Sequence, residues 1–151
     1  MNETIIKNFN EVMDWSDDLY ILGDCFLNNN EEGMKLMNRL PGNKHIVFGN
    51  HDSETRKILM REAGLDCLGL AHVLKIKGLR FYLCHYPTMT ANFDNDKPLK
   101  SRTLSLSGHT HSEEIWDAAG GYNVALDAHD NRPVELGEII NAFTKKSKGR
   151  I

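Results

Sequence analysis

Three short apolar runs in this chain end abruptly in clusters of polar, metal-type side chains, and a fourth ends the same way. That arrangement restricts the fold more than any other feature. Leu19 to Leu22 stops at Gly23-Asp24, Ile46 to Phe48 at Gly49-Asn50-His51-Asp52, and Leu104 to Ser107 at Gly108-His109-Thr110-His111. The segment with Leu79, Phe81 and Leu83 leads into Cys84-His85. Short apolar runs that stop at glycine read as buried strands, and loops at the ends of strands in a sheet converge on one edge. Each cluster alone is weak, since a lone Gly-Asp is more often a turn and His is an ordinary polar residue. Together, carboxylate, amide oxygen and imidazole make a mixed O/N set that suits manganese, iron, zinc or cobalt better than calcium or magnesium alone.

Helical periodicity fills the spaces between these runs. Ile5, Ile6, Phe9, Val12 and Met13 fall on one face of a first helix, with Asn2 or Thr4 as its cap. Asn28 to Asn30 offer caps for a second, whose Met34, Met37 and Leu40 point inward. Ser53 caps a third through about residue 63, with Ile58 and Leu59 as its apolar contacts. Lys77-Gly78 sits at the turn of a hairpin, Thr88 to Thr103 reads as a polar surface loop, and Tyr122 to Leu126 as another strand. Leu136, Ile139, Ile140 and Phe143 then mark a last amphipathic helix. Strands alternating with helices, followed by a run of strands, predict one mixed α/β domain over residues 1–151.

Composition narrows the function classes. At 40% hydrophobic the chain can bury a core, and its net charge of -3 provides no basic field for a nucleic acid. The one basic cluster, Lys145, Lys146, Lys148 and Arg150, reads as a solvated tail. Cys25, Cys67 and Cys84 are an odd number without CxxC spacing, so a disulfide framework and a thiolate zinc site are disfavoured and a reducing compartment is expected. No apolar run reaches the ~18 residues of a membrane span. The expected location is cytoplasmic, with no membrane partner. Nothing in the sequence specifies an oligomeric state.

The ordered set Gly23-Asp24, Gly49-Asn50-His51-Asp52, His85 and Gly108-His109-Thr110-His111 resembles the successive signatures of the calcineurin-like metallophosphoesterases. The segment Asn123 to Asp127 and the helix after it resemble small bacterial and phage members. The resemblance implies an α/β fold of two packed mixed sheets flanked by helices, and a metal-dependent phosphoesterase acting through a metal-bound hydroxide on a phosphomonoester or phosphodiester. It implies two divalent transition-metal sites. Asp24 would bridge them, Asn50, His85 and His109 would hold the second ion, and His111 would join the first. His51 would be the general acid or transition-state stabiliser, with Asp52 orienting its ring. Asn50, His51 and Tyr86 would meet a small phosphoester substrate. Two ions ~3.5–4 Å apart can clamp a phosphate and acidify a bridging water.

The family's opening Asp-x-His, on the loop after its first strand, has no counterpart here: Met1 stands directly before the first helix. The first strand is therefore expected to be missing and the first metal site incomplete, with Asp24 and His111 alone. The favoured expectation is a start placed too late, with about 20 to 30 upstream codons carrying an apolar strand and Asp-x-His. The competing reading is a degenerate, non-catalytic member serving as a binding or assembly module.

Overall fold

Two sheets face one another across an apolar core in the computed structural model, which describes residues 2–24, 29–88, 96–118 and 120–149. The first sheet is parallel throughout, in the order β1 (Asp18–Leu22), β2 (Asn43–Val47), β3 (Asp66–Gly69). The second runs β4 (Ala71–Ile76), β5 (Leu79–Cys84), β6 (Thr103–Ser107), β7 (Tyr122–Asn123), with β4 and β5 an antiparallel hairpin and the remaining pairs parallel. Four helices accompany them among the described residues: α1 (Asn2–Val12), α2 (Asn30–Arg39), α3 (Glu54–Glu62) and α4 (Leu136–Gly149).

Side-chain alternation explains why β1 and β2 read as continuous apolar runs. Leu22 and Val47 face the second sheet and pack with Leu79, Phe81, Leu83, Leu104 and Leu106. Ile21 and Ile46 face the helices and pack with Met34 of α2 and Met60 of α3. A sheet covered on both sides needs apolar residues at odd and even positions alike. α4 adds Ile139 and Phe143 to the inter-sheet core, where the Phe143 ring meets Trp116 at 5.0 Å and Tyr122 at 6.2 Å. Trp116 is thus a core-edge residue. Among the described residues, no helix is long and apolar enough to cross a membrane.

The caps expected for the second and third helices and the hairpin are present, whereas Asn2 and Thr4, expected to cap the first helix, lie within α1. Asn29 accepts from the Glu32 amide and Ser53 from the Arg56 amide, and Lys77 and Gly78 turn the hairpin with positive φ. Other expectations need correction. Val12 is exposed because it closes α1 beyond the core contact made by Ile6 and Phe9. Ile58 is exposed because α3 turns Arg56 and Met60 inward, one helical turn apart. The strand expected from Tyr122 to Leu126 pairs only through Asn123, then tightens into a 3-10 turn at Leu126–Ala128. β3 was not expected, since Asp66, Cys67 and Gly69 give it no strand-like composition. Cys25, Asn28 and Arg150 lie outside the described residues.

β1 pairs with β2 and, among the described residues, has no strand along its other edge. Its C-terminal end instead meets the second sheet through a side chain: His85 Nδ1 donates to the Leu22 carbonyl at 2.8 Å. The Gly108 amide in turn donates to the His85 carbonyl at 3.1 Å. The ends of β1, β2, β5 and β6 therefore come together.

Phe143→Ala should cost about 3–5 kcal/mol, the range for emptying a buried aromatic position. Val12→Ala, at an exposed helix end, should change stability by less than about 0.5 kcal/mol. Urea unfolding measures both. Near-parental stability of Phe143→Ala would show that α4 does not complete the core.

Candidate metal centre

Two glycines let the loops close on one another. Gly23 leaves β1 with φ +87, and a Cβ there would sit 2.5 Å from His85 Nδ1 and 2.7 Å from the Gly49 Cα. A Cβ on Gly49 would strike the Asp24 carboxylate. Three non-glycine residues at the same edge adopt left-handed backbone: Asp24 (φ 50), His109 (φ 66) and His111 (φ 52). Such conformations cost of order 1–3 kcal/mol each and persist where the surroundings impose them.

The surroundings do so here through Asp52. This carboxylate is buried, and its Oδ2 accepts from the Gly49 amide at 2.7 Å and the Asp24 amide at 2.9 Å. Asp24 Oδ1 accepts from the His51 amide at 2.8 Å, so the two loops are bonded in both directions. The role expected for Asp52, orienting the His51 ring, has no hydrogen bond behind it among the described residues; the carboxylate binds backbone instead. Arg56, which the sequence reading passed over, also holds this loop. Its buried guanidinium donates to the His51 carbonyl at 3.0 Å and to Asn30 Oδ1 at 2.7 Å. Its spacing of four from Met60, on the inward face of α3, was the available signal.

Asp24, His85 and His109 bring one ligand atom each to within 4.8 Å of one another. The Leu22 carbonyl can only accept, so His85 Nδ1 carries a proton and Nε2 is the ring nitrogen left to face the cluster. That Nε2 lies 2.8 Å from Asn50 Oδ1, 2.9 Å from His109 Nδ1 and 3.2 Å from Asp24 Oδ2. A carboxylate oxygen, an amide oxygen and two imidazole nitrogens thus converge on one small volume. This donor set fits a divalent transition ion. Among the described residues no thiol takes part.

The other expected site residues surround this cluster. His51 and Asn50 are exposed at its mouth. Tyr86 is half-exposed, with its ring edge-on to His85 at 5.0 Å and to His109 at 4.8 Å. His111 is not gathered into the cluster. Its Nδ1 pairs with Asp127 Oδ2 at 3.0 Å, and its ring is largely exposed. Asp127 had no assigned role in the sequence reading.

Comparison with known proteins shows the family and the fold. The family model of the calcineurin-like phosphoesterase superfamily domain matches residues 2–144. The uncharacterised protein MJ1445 of Methanocaldococcus jannaschii is 28% identical over 155 aligned positions, covering 96% of this chain and 76% of that protein. The crystal structure of AQ665 from Aquifex aeolicus, a protein of unknown function, superposes with a TM-score of 0.72 at 26% identity, covering 93% of this chain and 84% of that one. An archaeal phosphodiesterase shares the fold, with a TM-score of 0.55 at 19% identity over 82% of this chain and 73% of that one.

Asp52→Ala should destabilise the protein by about 1–3 kcal/mol for each backbone N–H it orphans, and should weaken manganese binding measured calorimetrically by displacing Asp24. Asp52→Asn, which keeps an acceptor, should lose less. An Asp52→Ala protein with parental stability and manganese affinity but reduced turnover would return Asp52 to the His51 ring.

Proposed function

This chain belongs to the calcineurin-like phosphoesterase superfamily, and on that premise we propose that it hydrolyses a small, exposed phosphomonoester or phosphodiester with the help of a divalent transition metal. The observation that carries the reading is the convergence of four lone-pair atoms, from Asp24, Asn50, His85 and His109, around His85 Nε2. An uncompensated set of this kind is unfavourable in a half-buried place unless a cation completes it.

In this reading Asp24, Asn50, His85 and His109 hold the ion. When bound, it supplies Lewis-acid charge to the phosphoryl oxygens and acidifies water. The protein's own part is positioning and proton delivery. His51 stands at the mouth with its amide bonded to Asp24 and its carbonyl to Arg56, so its main chain is fixed while its ring is free to meet substrate. It protonates the leaving oxygen. Asn50 and Tyr86 form the adjoining wall. Manganese is the ion to try first, with iron, zinc and cobalt also suited to this donor set. The net charge of -3 favours a small ester over a nucleic acid.

One observation favours the alternative, a non-catalytic binding or assembly module. His111 is held by Asp127 outside the cluster, so among the described residues a single group of side chains is gathered for an ion.

Turnover of p-nitrophenyl phosphate and bis-p-nitrophenyl phosphate with added manganese, iron, zinc or cobalt separates the two. Under the hydrolase reading, His51→Ala lowers turnover by roughly 10²–10⁴ with manganese affinity unchanged, whereas His85→Ala and Asn50→Ala lower the affinity itself. No turnover of either ester with any of the four ions would leave the binding module as the function. Equal turnover by His51→Ala and the parent would remove His51 from the mechanism.

A further inference from the structure

Toward the other end of the first sheet lies a second cluster of titratable groups that the metal centre does not use. Asp18 opens β1, Asp66 opens β3, and His45 stands between them on β2. His45 Nδ1 lies 2.6 Å from Asp66 Oδ2, and Nε2 lies 2.9 Å from Asp18 Oδ1. The Tyr20 ring stacks on the imidazole, with centroids 4.5 Å apart and 19° between planes. Among the described residues, the titratable groups in contact with the His45 ring are thus Asp18 and Tyr20 from β1 and Asp66 from β3. Lys44, its neighbour on β2, turns instead to the Trp15 ring.

Carboxylate oxygens accept. A neutral imidazole offers one N–H and one lone pair, so one of the two short contacts would set that lone pair against an anion. Only the imidazolium satisfies both, and each bond is then charge-assisted. We propose that Asp18, His45 and Asp66 form a proton-operated latch across all three strands of the first sheet, closed while His45 is an imidazolium and open once it loses a proton. The latch ties both outer strands to the central one by side chains. β1 and β2 run from it to the loops that carry Asp24 and Asn50.

The electrostatics agree. Burial of the ring opposes its charge, but the two carboxylates outweigh burial and raise the His45 pKa above the ordinary imidazole value. Burial, with Asp18 and Asp66 adding to it, raises the Tyr20 phenol as well, which keeps the stacked ring neutral. A folded-state value above the unfolded ~6.5 means that the stabilisation is complete below the unfolded value. It is lost as pH rises through the folded one. Both carboxylates are more than half exposed, at 60% and 56%, so salt should weaken the latch.

Nitrogen-resolved histidine NMR on the metal-free full chain, together with thermal unfolding from about pH 6 to about pH 9, tests this around the ordinary ~6.5 midpoint. His45 should keep both ring protons beyond that value, and Asp18→Asn and Asp66→Asn should each lower its midpoint. The parent Tm should fall across the range by on the order of 2–4 °C more than that of His45→Gln. A His45 midpoint at or below the ordinary value overturns the latch, as does one that neither asparagine moves. A parent pH–Tm curve that His45→Gln reproduces overturns it too. Should His45→Gln fail to fold, the two asparagine variants decide by their His45 midpoints.

Discussion

The hydrogen bond from His85 Nδ1 to the Leu22 carbonyl joins two things: the alignment of the sheets and the placement of the side chains gathered at their edge. The apolar core between the sheets sets their separation, but hydrophobic packing is non-directional and leaves their relative slide poorly determined. A buried bond of 2.8 Å is directional, and His85 is 2% exposed, so no water can replace the partner. The same bond fixes the tautomer and aims Nε2 at the cluster. Gly23 follows as a requirement, because any side chain there would occupy the place of the ring. So does the link onward to β6, since the His85 carbonyl receives the Gly108 amide and brings His109 within reach.

Around that bond, rigid and exposed residues divide the work. Asp52 and Arg56 are buried and spend their hydrogen bonds on backbone: the amides of Gly49 and Asp24 for one, the His51 carbonyl for the other. They hold Asp24 in a conformation it would not choose alone. Asn50, His51 and Tyr86, which face outward, are carried on that frame. A site of this kind must be supported from behind, because groups that meet a ligand cannot also be locked by partners in the core.

The edge at which these polar residues gather was legible in the sequence, because a buried run that stops at Gly-Asp, Gly-Asn-His-Asp or Gly-His-Thr-His leaves its polar residues nowhere else to go. What was not legible depended on partners distant in sequence. β3 is held by β2 and has little strand character of its own. Val12 and Ile58 obey helical periodicity and are exposed all the same, since periodicity selects a stripe and the neighbours decide how much of it is covered. Asn8 of α1 is buried because its amide donates to the Asn131 carbonyl at 3.1 Å, where the chain turns with positive φ at Asp130 and Asn131.

Histidine shows why residue type alone could not assign roles. His85 and His45 both lie in or just after strands, and both use both ring nitrogens. A carbonyl at Nδ1 makes His85 a lone-pair donor at Nε2, the form a metal requires. Two carboxylates make His45 a double donor, a form that excludes a metal. His111 has one carboxylate, Asp127, and an exposed ring, and so lies between them. The partner that fixes His85 is 63 positions away, and those that fix His45 are 21 and 27 away. Sequence spacing brought His109 and His111 together as His-x-His, yet left-handed backbone at both sends one ring to the cluster and the other to Asp127. The alternation expected of a strand ends at Ser107, and beyond it the loop alone determines which imidazole can reach an ion.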